Sequence, residues 1–377
     1  MEQPPKYAAI ATLRSWYARH ERPISSLSLI GGFVFDAITL KRVDMFWDNF
    51  WVIVHLLVVG ICIILLNREE NEGAGAIASD SDPAKLHFWL LNILQFFFGG
   101  LISTFIVFYF RSAVLAVAWP FFLILALAFV ANESFKRHYA RIDFQISFFF
   151  LSVYLFAIFL LPVLLHQISS AIFLASGGVS LIILLGFLGL LKLFTKEGFK
   201  RGKNALLSSV VGIYIVVNAL YFLNLIPPLP LSLRDAGIYH SIARNASDQY
   251  VVTEEAGSIW DRFLTFLDIY PAYHAAPGSA VYAYSAIFSP IAFNTNIVHE
   301  WQRYDAAKKK WVTAITIPLG VVGGREQGYR TYSINTGLSA GKWRVNVKTP
   351  SGQLVGRMIF SVVIDGAVPV LATETKS

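Results

Sequence analysis

The stretch Ile226-Pro-Pro-Leu-Pro230 divides the chain into two parts of different composition. Nearly all of the long apolar runs lie before it, whereas residues 231–377 have the mixed polar and apolar composition of an ordinary soluble domain. Proline has no amide donor and a fixed backbone angle, so clustered prolines end a helix and stiffen the chain that follows. The sequence therefore predicts the main domain boundary at this stretch.

The composition of the whole chain indicates a membrane protein. The 377 residues are 55% hydrophobic and only 15% charged, and the mean hydropathy is +0.56. Soluble domains carry about 25% charged residues, so a bilayer is the expected solvent for part of this chain. Residues 231–377 hold 14 Lys and Arg against 11 Asp and Glu. That excess is too small to indicate a nucleic-acid partner.

Apolar segments before the boundary have lengths near the roughly 20 residues that a bilayer requires. They are residues 24–40, 50–67, 86–110, 114–132, 144–166, 168–194 and 205–226. The sequence therefore predicts a transmembrane helical domain over 24–230 with about seven transmembrane helices.

Lysine and arginine in the connections predict the orientation, because these residues are enriched on the cytoplasmic side. The N-terminal segment and every second connection after it lie on one side of the membrane and together hold thirteen lysines and arginines. The connections on the opposite side hold three, namely Lys41, Arg42 and Arg111. This bias predicts a cytoplasmic N-terminus and an extracytoplasmic C-terminal domain, in the cytoplasmic (inner) membrane of a bacterium. Residues 1–23 are then cytoplasmic, either as an interfacial helix or as a solvated lead-in.

Two ionisable residues lie inside the predicted spans at similar depth. Asp36 is near the outer end of the first span, and His55 enters the second span from the same side. If these spans form a hairpin, Asp36 accepts a hydrogen bond from His55, with Arg42 above them. The pair is either a proton or ion relay or a polar clamp between helices, and a clamp is favoured because one acid and one histidine do not make a pathway.

Sequence motifs for catalysis or cofactor binding are lacking in this chain. The one cysteine, Cys62, lies in an apolar run, so no intrachain disulfide is possible. There is no HExxH, GxSxG, P-loop or GxGxxG pattern. We therefore expect no cofactor, no metal site and no catalytic residues.

After the boundary, the spacing of apolar residues changes from a helical period to alternation. Residues 231–278 read as a juxtamembrane connector with a short helix over 257–270, and residues 279–377 as an extracytoplasmic β-domain. In 342–348, KWRVNVK, apolar and polar side chains alternate, which predicts a half-buried strand. Similar strands are predicted at 279–289, 295–304, 311–319, 328–334 and 353–364. This number of short strands favours an all-β immunoglobulin-like sandwich with inward-facing tryptophans.

Three motifs in this domain, IVHEWQRYD, GGREQGYRTYS and GKWRVNVKTPSGQLVGRMIFSV, resemble the bacterial domain-of-unknown-function family 2914. The resemblance covers roughly residues 297–363. The matching positions are His299, Trp301, Arg330, Ser333, Gly341, Trp343, Arg344, Val345 and Gly352. The resemblance implies a domain that is often attached to membrane spans, and it implies no known activity.

The candidate binding residues of this domain are Arg325, Arg330, Tyr332, Arg344 and His299. If Arg330 faces solvent beside Arg344 on a paired strand, the two make an anion or glycan site, because arginine recognises planar anions with two hydrogen bonds. If Arg330 turns back over the end of the sandwich, it holds the turn, and this is the favoured interpretation. His299 is expected to be a hydrogen-bonded structural residue beside a core Trp301.

Three functions are consistent with these patterns. The first is a non-enzymatic envelope protein whose outward domain binds a protein, a glycan or a lipid headgroup. The second is a small-molecule transporter or channel component that uses Asp36 and His55. A membrane enzyme ranks last, because no nucleophile, base and orienting group come together in the sequence.

Overall fold

The fold is described from a computed structural model of the chain. The described residues are 30–40, 42, 44–71, 83–134, 139, 141–194, 203–247, 249–256, 270–290, 295–325, 327–364 and 370–376. The N-terminal segment 1–23 and most of the short helix expected over 257–270 lie outside these residues.

Within the described residues, seven helices precede the strands. Their bounds are α1 Ile30–Thr39, α2 Phe46–Asn71, α3 Pro83–Arg111, α4 Leu115–Ser134, α5 Ile142–Leu165, α6 Ser170–Phe194 and α7 Lys203–Phe222. Each lies on one of the apolar segments of the sequence. Five of them, α2, α3, α5, α6 and α7, are long and apolar enough to cross a membrane. The described apolar stretches of α1 and α4 are shorter, at Ile30–Thr39 and Val117–Val130.

Amide side chains hold several helices together. Asn67 of α2 donates from Nδ2 to Oε1 of Gln145 in α5 at 2.9 Å. Gln95 of α3 donates to the carbonyl of Asn132 in α4 at 2.9 Å. Asn218 of α7 donates to the Tyr154 hydroxyl of α5 at 3.0 Å. Buried polar groups are costly without such partners. Gln95 and Asn218 therefore act as interhelical hydrogen bonders.

Gly177 marks a close approach between helices. A Cβ atom built there would lie 2.9 Å from the Tyr154 hydroxyl and 2.9 Å from Cε2 of Tyr214. At the next residue, Gly178, a Cβ atom would meet nothing within 4 Å. Only the first glycine of the pair is therefore required by the packing of α6 against α5 and α7.

In the part of the chain that the structure describes, eleven strands follow the helices. They are β1 Ser232–Tyr239, β2 Ser241–Arg244, β3 Tyr250–Glu255, β4 Ala272–His274, β5 Val281–Phe288, β6 Thr295–Asp305, β7 Lys310–Val321, β8 Tyr329–Asn335, β9 Gly341–Lys348, β10 Leu354–Val363 and β11 Leu371–Lys376. All six strands that alternation predicts are present, as β5 to β10.

The strands form three sheets. One has the order β1-β5-β8, the second β4-β10-β9-β6-β7, and the third β11-β3-β2. The pairings are antiparallel except for β4 with β10, which is parallel. The β6–β7 and β9–β10 pairs are hairpins, at the turn signals DAAKKK and TPSGQ.

The first two sheets share one apolar core. Val281, Ala283 and Ile287 of β5 pack in the same buried cluster as Trp301 of β6 and Trp343 of β9. Trp301 is fully buried and Trp343 is 2% exposed. The inward-facing tryptophans predicted from the sequence are therefore confirmed, and they fill the space between the two facing sheets.

The segment 231–278 differs from the predicted connector, because it contributes four strands. β1 pairs with β5, β4 pairs with β10, and β2 pairs with β3. The ladders of β1 and β4 join residues far apart in sequence, and short strands with mixed polarity give no clear alternation. The local sequence therefore does not reveal these strands.

The chain divides into two compact units. The helical unit comprises Met1–Phe108, Phe121–Ala157 and Gly177–Asn218. The β unit comprises Ala219–Ser377 with the helix connections Tyr109–Pro120 and Ile158–Ser176. Within the β unit, Ile168 of the α5–α6 connection packs against the core between the sheets.

Candidate functional site

Three side chains of the sequence motifs, those of His299, Trp301 and Ser333, meet Ser285 of β5 in the core between the two facing sheets. His299 of β6 bonds through Nε2 to the Ser285 hydroxyl and through Nδ1 to the Ser333 hydroxyl, each at 2.9 Å. Trp301 donates from Nε1 to the same Ser333 oxygen at 3.0 Å. Ser285 lies on β5 and Ser333 on β8, so this network joins the two sheets.

The network is buried, and this decides its role. His299 and Ser285 are fully buried, and Ser333 is 3% exposed. Burial lowers the pKa of His299 to about 4, so the imidazole is neutral at pH 7. A neutral imidazole between two hydroxyl groups has a partner for each ring nitrogen. His299 is therefore buried and hydrogen-bonded through both ring nitrogens, as is expected of a structural residue.

The motif GGREQGYRTYS enters β8 through a tight approach of the backbone. Gly328 has φ +93°, and a Cβ there would lie 2.9 Å from the backbone carbon of Ala286 and the nitrogen of Ile287. Only glycine fits this turn, because both the angle and the space exclude a side chain. Arg325, in the same turn, is exposed, and its guanidinium lies 5.7 Å from the ring centroid of Tyr329.

Arg330 lies on the first sheet, beside tyrosines. It pairs with Ala286 of β5, and Tyr332 pairs with Tyr284. Both Arg330 and Tyr332 are half-buried, and they share the face that carries Tyr284. The proposed adjacency of Arg330 and Arg344 is wrong, because β8 pairs with β5 whereas Arg344 lies on β9 of the five-stranded sheet. Strand neighbours are fixed by long-range pairing, which the alternation within one strand does not encode.

Arg344 belongs to a polar network on the side of the five-stranded sheet that points away from the shared core, which we call the Arg344 face; within it Arg344 is half-buried and Gln302 and Asn346 are buried. Its residues are Glu300, Gln302, Trp311, Thr313, Arg344, Asn346, Lys348 and Arg357. Arg344 Nε donates to Gln302 Oε1 at 2.7 Å. Arg357 Nε donates to Asn346 Oδ1 at 2.7 Å. Asn346 Nδ2 in turn donates to Gln302 Oε1 at 3.1 Å, so the two guanidinium groups are fixed by connected amides.

One carboxylate, that of Glu300, lies in this network, and a lysine already compensates its charge. Glu300 forms an ion pair with Lys348, and it accepts hydrogen bonds from Asn346 at 3.1 Å and Thr313 at 3.3 Å. Burial raises the pKa of Glu300, but the hydrogen bonds from Lys348 and Asn346 outweigh burial and leave this pKa below its usual value. Among the residues that the structure describes, Arg344 forms no ion pair with a carboxylate.

The surroundings of Arg344 disfavour its charged form. Partial burial, together with the nearby charge of Arg357, lowers its pKa to about 10. The guanidinium stays charged at pH 7, and the lowered pKa means that its charged form is less stable here than in water. A bound anion would offset both the loss of hydration on burial and the repulsion from Arg357, and would thereby stabilise the charged guanidinium of Arg344.

Aromatic rings border the Arg344 face at the β6–β7 hairpin. The Arg344 guanidinium lies 4.3 Å from the ring centroid of Trp311, a cation–π contact. Tyr304 and Tyr270 flank Trp311 with centroid distances of 5.3 and 6.1 Å. The Lys342 ammonium lies 4.8 Å from the Tyr270 centroid. Planar rings beside fixed cations suit ligands with both a flat or apolar surface and negative charge.

Sequence reasoning identified Arg344 and missed its partners. The alternation in KWRVNVK places Lys342, Arg344 and Asn346 on one face, and this was the available signal. Gln302 and Arg357 join them only through the pairing of β9 with β6 and β10. Trp311 reaches the face through the β6–β7 pairing.

Asp36 and His55 lie close together without bonding to each other. Asp36 Oδ2 accepts a hydrogen bond from the Ser103 hydroxyl of α3, and it interacts electrostatically with His55. His55 Nδ1 bonds to the Trp51 carbonyl at 2.7 Å, and a Cβ at Gly100 would lie 3.0 Å from His55 Nε2. The predicted direct bond is therefore wrong, because α3 supplies a hydroxyl to Asp36 and room for His55.

Arg42, expected above this pair, forms a two-point contact with Asp44, at 3.0 Å from Nε and 2.6 Å from Nη2. Within the described ranges, no group of three or more His, Cys, Asp or Glu side chains has a geometry that could hold a metal ion.

Comparisons with known proteins give little beyond one segment. No curated protein matches the chain. Among solved structures, β-glucosidase from Listeria innocua in complex with gluconolactone is similar over 30% of this chain and 16% of its own, with 14% identity and a TM-score of 0.20.

The Pseudomonas fluorescens alkylpurine DNA glycosylase AlkC, bound to DNA containing an abasic site analog, covers 85% of this chain and 99% of its own, with 9% identity and a TM-score of 0.20. Scores this low establish no common fold. The chain thus spans about a sixth of the length of the glucosidase. Residues 294–362, which hold His299, Trp301, Ser333 and the Arg344 face, match the family described as protein of unknown function (DUF2914).

Proposed function

We propose that this protein is a multi-pass protein of the bacterial cytoplasmic membrane that presents its β unit outside the cytoplasm, where the Arg344 face binds an anionic group of an envelope component. The component is a protein, a glycan or a lipid headgroup. The observation that carries the proposal is the pair of guanidinium groups, Arg344 and Arg357, fixed on one face by the amides of Gln302 and Asn346.

Two observations support the topology. The α3–α4 and α5–α6 connections belong to the same compact unit as the strands, and this supports an arrangement in which these connections and the strands lie on one side of the membrane. That side has few lysines and arginines in its connections, whereas the cytoplasmic side is rich in them. With α1 and α4 as additional spans, the chain crosses seven times. We also propose that the two facing sheets form an immunoglobulin-like sandwich.

The chemistry of the Arg344 face favours a phosphate or carboxylate. Arginine presents several donors in one plane and binds such anions with two parallel hydrogen bonds. The amide network holds the guanidinium of Arg344 before any ligand arrives, so little side-chain entropy is lost on binding. Trp311 and Tyr270 add a surface on which a sugar ring or an acyl glycerol group packs.

The test compares Arg344→Gln with Arg303→Gln in the full-length protein in neutral-lipid nanodiscs. Phosphatidylglycerol vesicles report a lipid headgroup, and soluble polygalacturonate reports a carboxylated glycan. We expect Arg344→Gln to weaken binding of one of these probes by roughly tenfold, since a charge-assisted hydrogen bond contributes about 1.5–3 kcal/mol. Arg303 is exposed and bonds to Ser339 at 2.7 Å.

The matched control separates a site from general electrostatic attraction. Because both changes remove one positive charge from the same sheet, equal losses of affinity would show non-specific attraction. Binding that is unchanged in Arg344→Gln would also contradict the proposal. Absence of binding to both probes in the wild type would exclude a lipid headgroup and a carboxylated glycan as the component.

The alternative is a transporter or channel component built around Asp36. The carboxylate contacts the Ser103 hydroxyl and lies in the electrostatic field of His55, so three helices meet at one polar point. If this point is a relay, Asp36→Asn abolishes proton uptake by proteoliposomes while the protein still folds. Wild-type proteoliposomes that take up no more protons than empty ones would identify Asp36 as a clamp.

A further inference from the structure

Two cations of β9 have hydrogen-bond donors without acceptors. Arg344 bonds through Nε to Gln302, and its two terminal nitrogens meet no acceptor among the described residues. The exposed ammonium of Lys342 has neither a carboxylate nor a hydrogen-bond partner in the part of the chain that the structure describes. Both side chains lie on the same side of the sheet, because residues two apart on a strand point the same way. A ligand on this side therefore meets donors from both.

A third cation adjoins Arg344 on the neighbouring strand. Arg357 of β10 pairs with Asn346, two residues along β9 from Arg344. Such diagonal neighbours are about 7–8 Å apart, within reach of long side chains. Asn346 Oδ1 holds the Arg357 guanidinium at 2.7 Å from Nε, as Gln302 holds that of Arg344. The two guanidinium groups are therefore fixed close together, and a group with two negative charges stabilises both.

The carboxylate of the Arg344 face does not offset these charges. Glu300 is ion-paired with Lys348, and it also accepts hydrogen bonds from Asn346 and Thr313. The face together with Lys342 holds four cations and one carboxylate, so three positive charges are in excess among these residues. An anion with a single charge would leave most of this excess in place.

We infer, building on the proposed function, that the anionic group bound at the Arg344 face is a phosphomonoester in its dianionic form. A phosphomonoester has a second pKa of about 6, so it carries nearly two charges at pH 7, and it offers three acceptor oxygens. These oxygens accept from Arg344 and Lys342 together, with Arg357 on the neighbouring strand. Trp311, whose ring centroid lies 4.3 Å from the Arg344 guanidinium, borders this position. Its ring is the surface against which the sugar or lipid that carries the phosphate packs.

The pH dependence of affinity tests the charge of the bound group. Glucose 1-phosphate is the phosphomonoester probe and glucuronate the carboxylate probe, each titrated calorimetrically into the full-length protein in neutral-lipid nanodiscs. Between pH 5 and about pH 7.5 the dianionic fraction of a group with a pKa near 6 rises roughly tenfold, and we expect the affinity for glucose 1-phosphate to rise equally. The affinity for glucuronate should stay constant, because its carboxylate is already ionised at about pH 5. Glucuronate thereby corrects for protein groups that titrate in this interval.

Removal of one cation should weaken the preference for two charges. Lys342→Gln should still bind both probes through Arg344, but the rise with pH should shrink to roughly threefold, because less positive charge remains to distinguish a dianion from a monoanion. Arg303→Gln is the matched control. It removes one positive charge from the same sheet, at a residue that bonds to Ser339, and it should keep the full rise.

Vesicles of phosphatidate, a phosphomonoester lipid, distinguish the two sources of the group. Tighter binding of these vesicles than of glucose 1-phosphate at equal phosphate concentration would assign the group to a lipid, and the reverse would assign it to a sugar. Both results support the inference.

The inference would be overturned if neither phosphomonoester bound, if the affinity for glucose 1-phosphate were the same at both pH values, or if glucuronate bound more tightly at the higher pH. Equal effects of Lys342→Gln and Arg303→Gln on the rise would also overturn it. The proposed function would survive these results, because Arg344→Gln with phosphatidylglycerol and polygalacturonate tests it separately.

Discussion

At the scale of single residues, the β unit depends on a buried polar network at the centre of its sandwich. Trp301, His299 and Ser333 use four side-chain atoms to join two sheets, and the Ser285 hydroxyl is the fifth atom of the network. Each buried donor or acceptor left unpaired costs about 1–3 kcal/mol, so this network fixes which sheet faces which. The same residues carry much of the family pattern, and the structure gives their physical role.

The burial of His299 predicts how stability changes with pH. Its pKa falls from the ordinary 6.5 to about 4 in the folded protein, so between these values the unfolded chain binds a proton that the folded chain does not. The free energy of unfolding therefore falls as the pH is lowered from about 6.5 to 4, by about 3 kcal/mol, and this contribution is constant above 6.5.

Native-state hydrogen exchange of β6 and β8 amides, in wild type and His299→Gln, measures this effect. His240 and His274 contact Glu255, so the quantity to compare is the difference between the two proteins. We expect the difference to change by about 3 kcal/mol across this pH interval. A constant difference would show that His299 does not titrate out of the folded state as its burial implies.

At the scale of elements, close helix packing depends on particular glycines. Gly177 of α6 faces Tyr154 and Tyr214, whereas the adjacent Gly178 has open space. Both glycines have the same helix propensity, so substituting each by valine separates packing from propensity.

We expect Gly177→Val to lower the thermal midpoint of the detergent-solubilised protein clearly, because α6 must move away from α5 and α7 to admit the side chain. Gly178→Val should change it much less, since overpacking costs about 1–3 kcal/mol only where atoms collide. The measurement is the loss of monodisperse protein on heating. Equal shifts for the two variants would contradict the assigned contact.

Strands and helices differ in how well the sequence revealed them. The helices are long apolar runs, each readable on its own, and β5 to β10 have local alternation or turn signals. β1 and β4 are stabilised by partners that lie about 40 to 90 residues away in the chain, and β11 by β3 at a still greater separation. These long-range pairings explain why the local sequence of residues 231–278 predicts a connector instead of strands.

At the scale of the whole molecule, the topology proposal makes a direct prediction about accessibility. In a Cys62→Ala background, Lys308→Cys of the exposed β6–β7 hairpin should react with a membrane-impermeant maleimide added to spheroplasts. Lys196→Cys, between α6 and α7, should react only after the membrane is opened with detergent, because that connection is predicted to be cytoplasmic. The reverse pattern of labelling would invert the proposed orientation.

The sequence by itself determined the apolar helices and most of the strands of the two facing sheets, because these depend on local composition and period. The sequence also identified Arg344 and His299 as candidate site residues. Only the tertiary structure decided that His299 is enclosed between Ser285 and Ser333, that Arg330 and Arg344 lie on different sheets, and that Ser103 is the partner of Asp36. The physical reason is that strand pairing and helix packing choose among many distant partners, and their energy depends on contacts that a linear pattern does not contain.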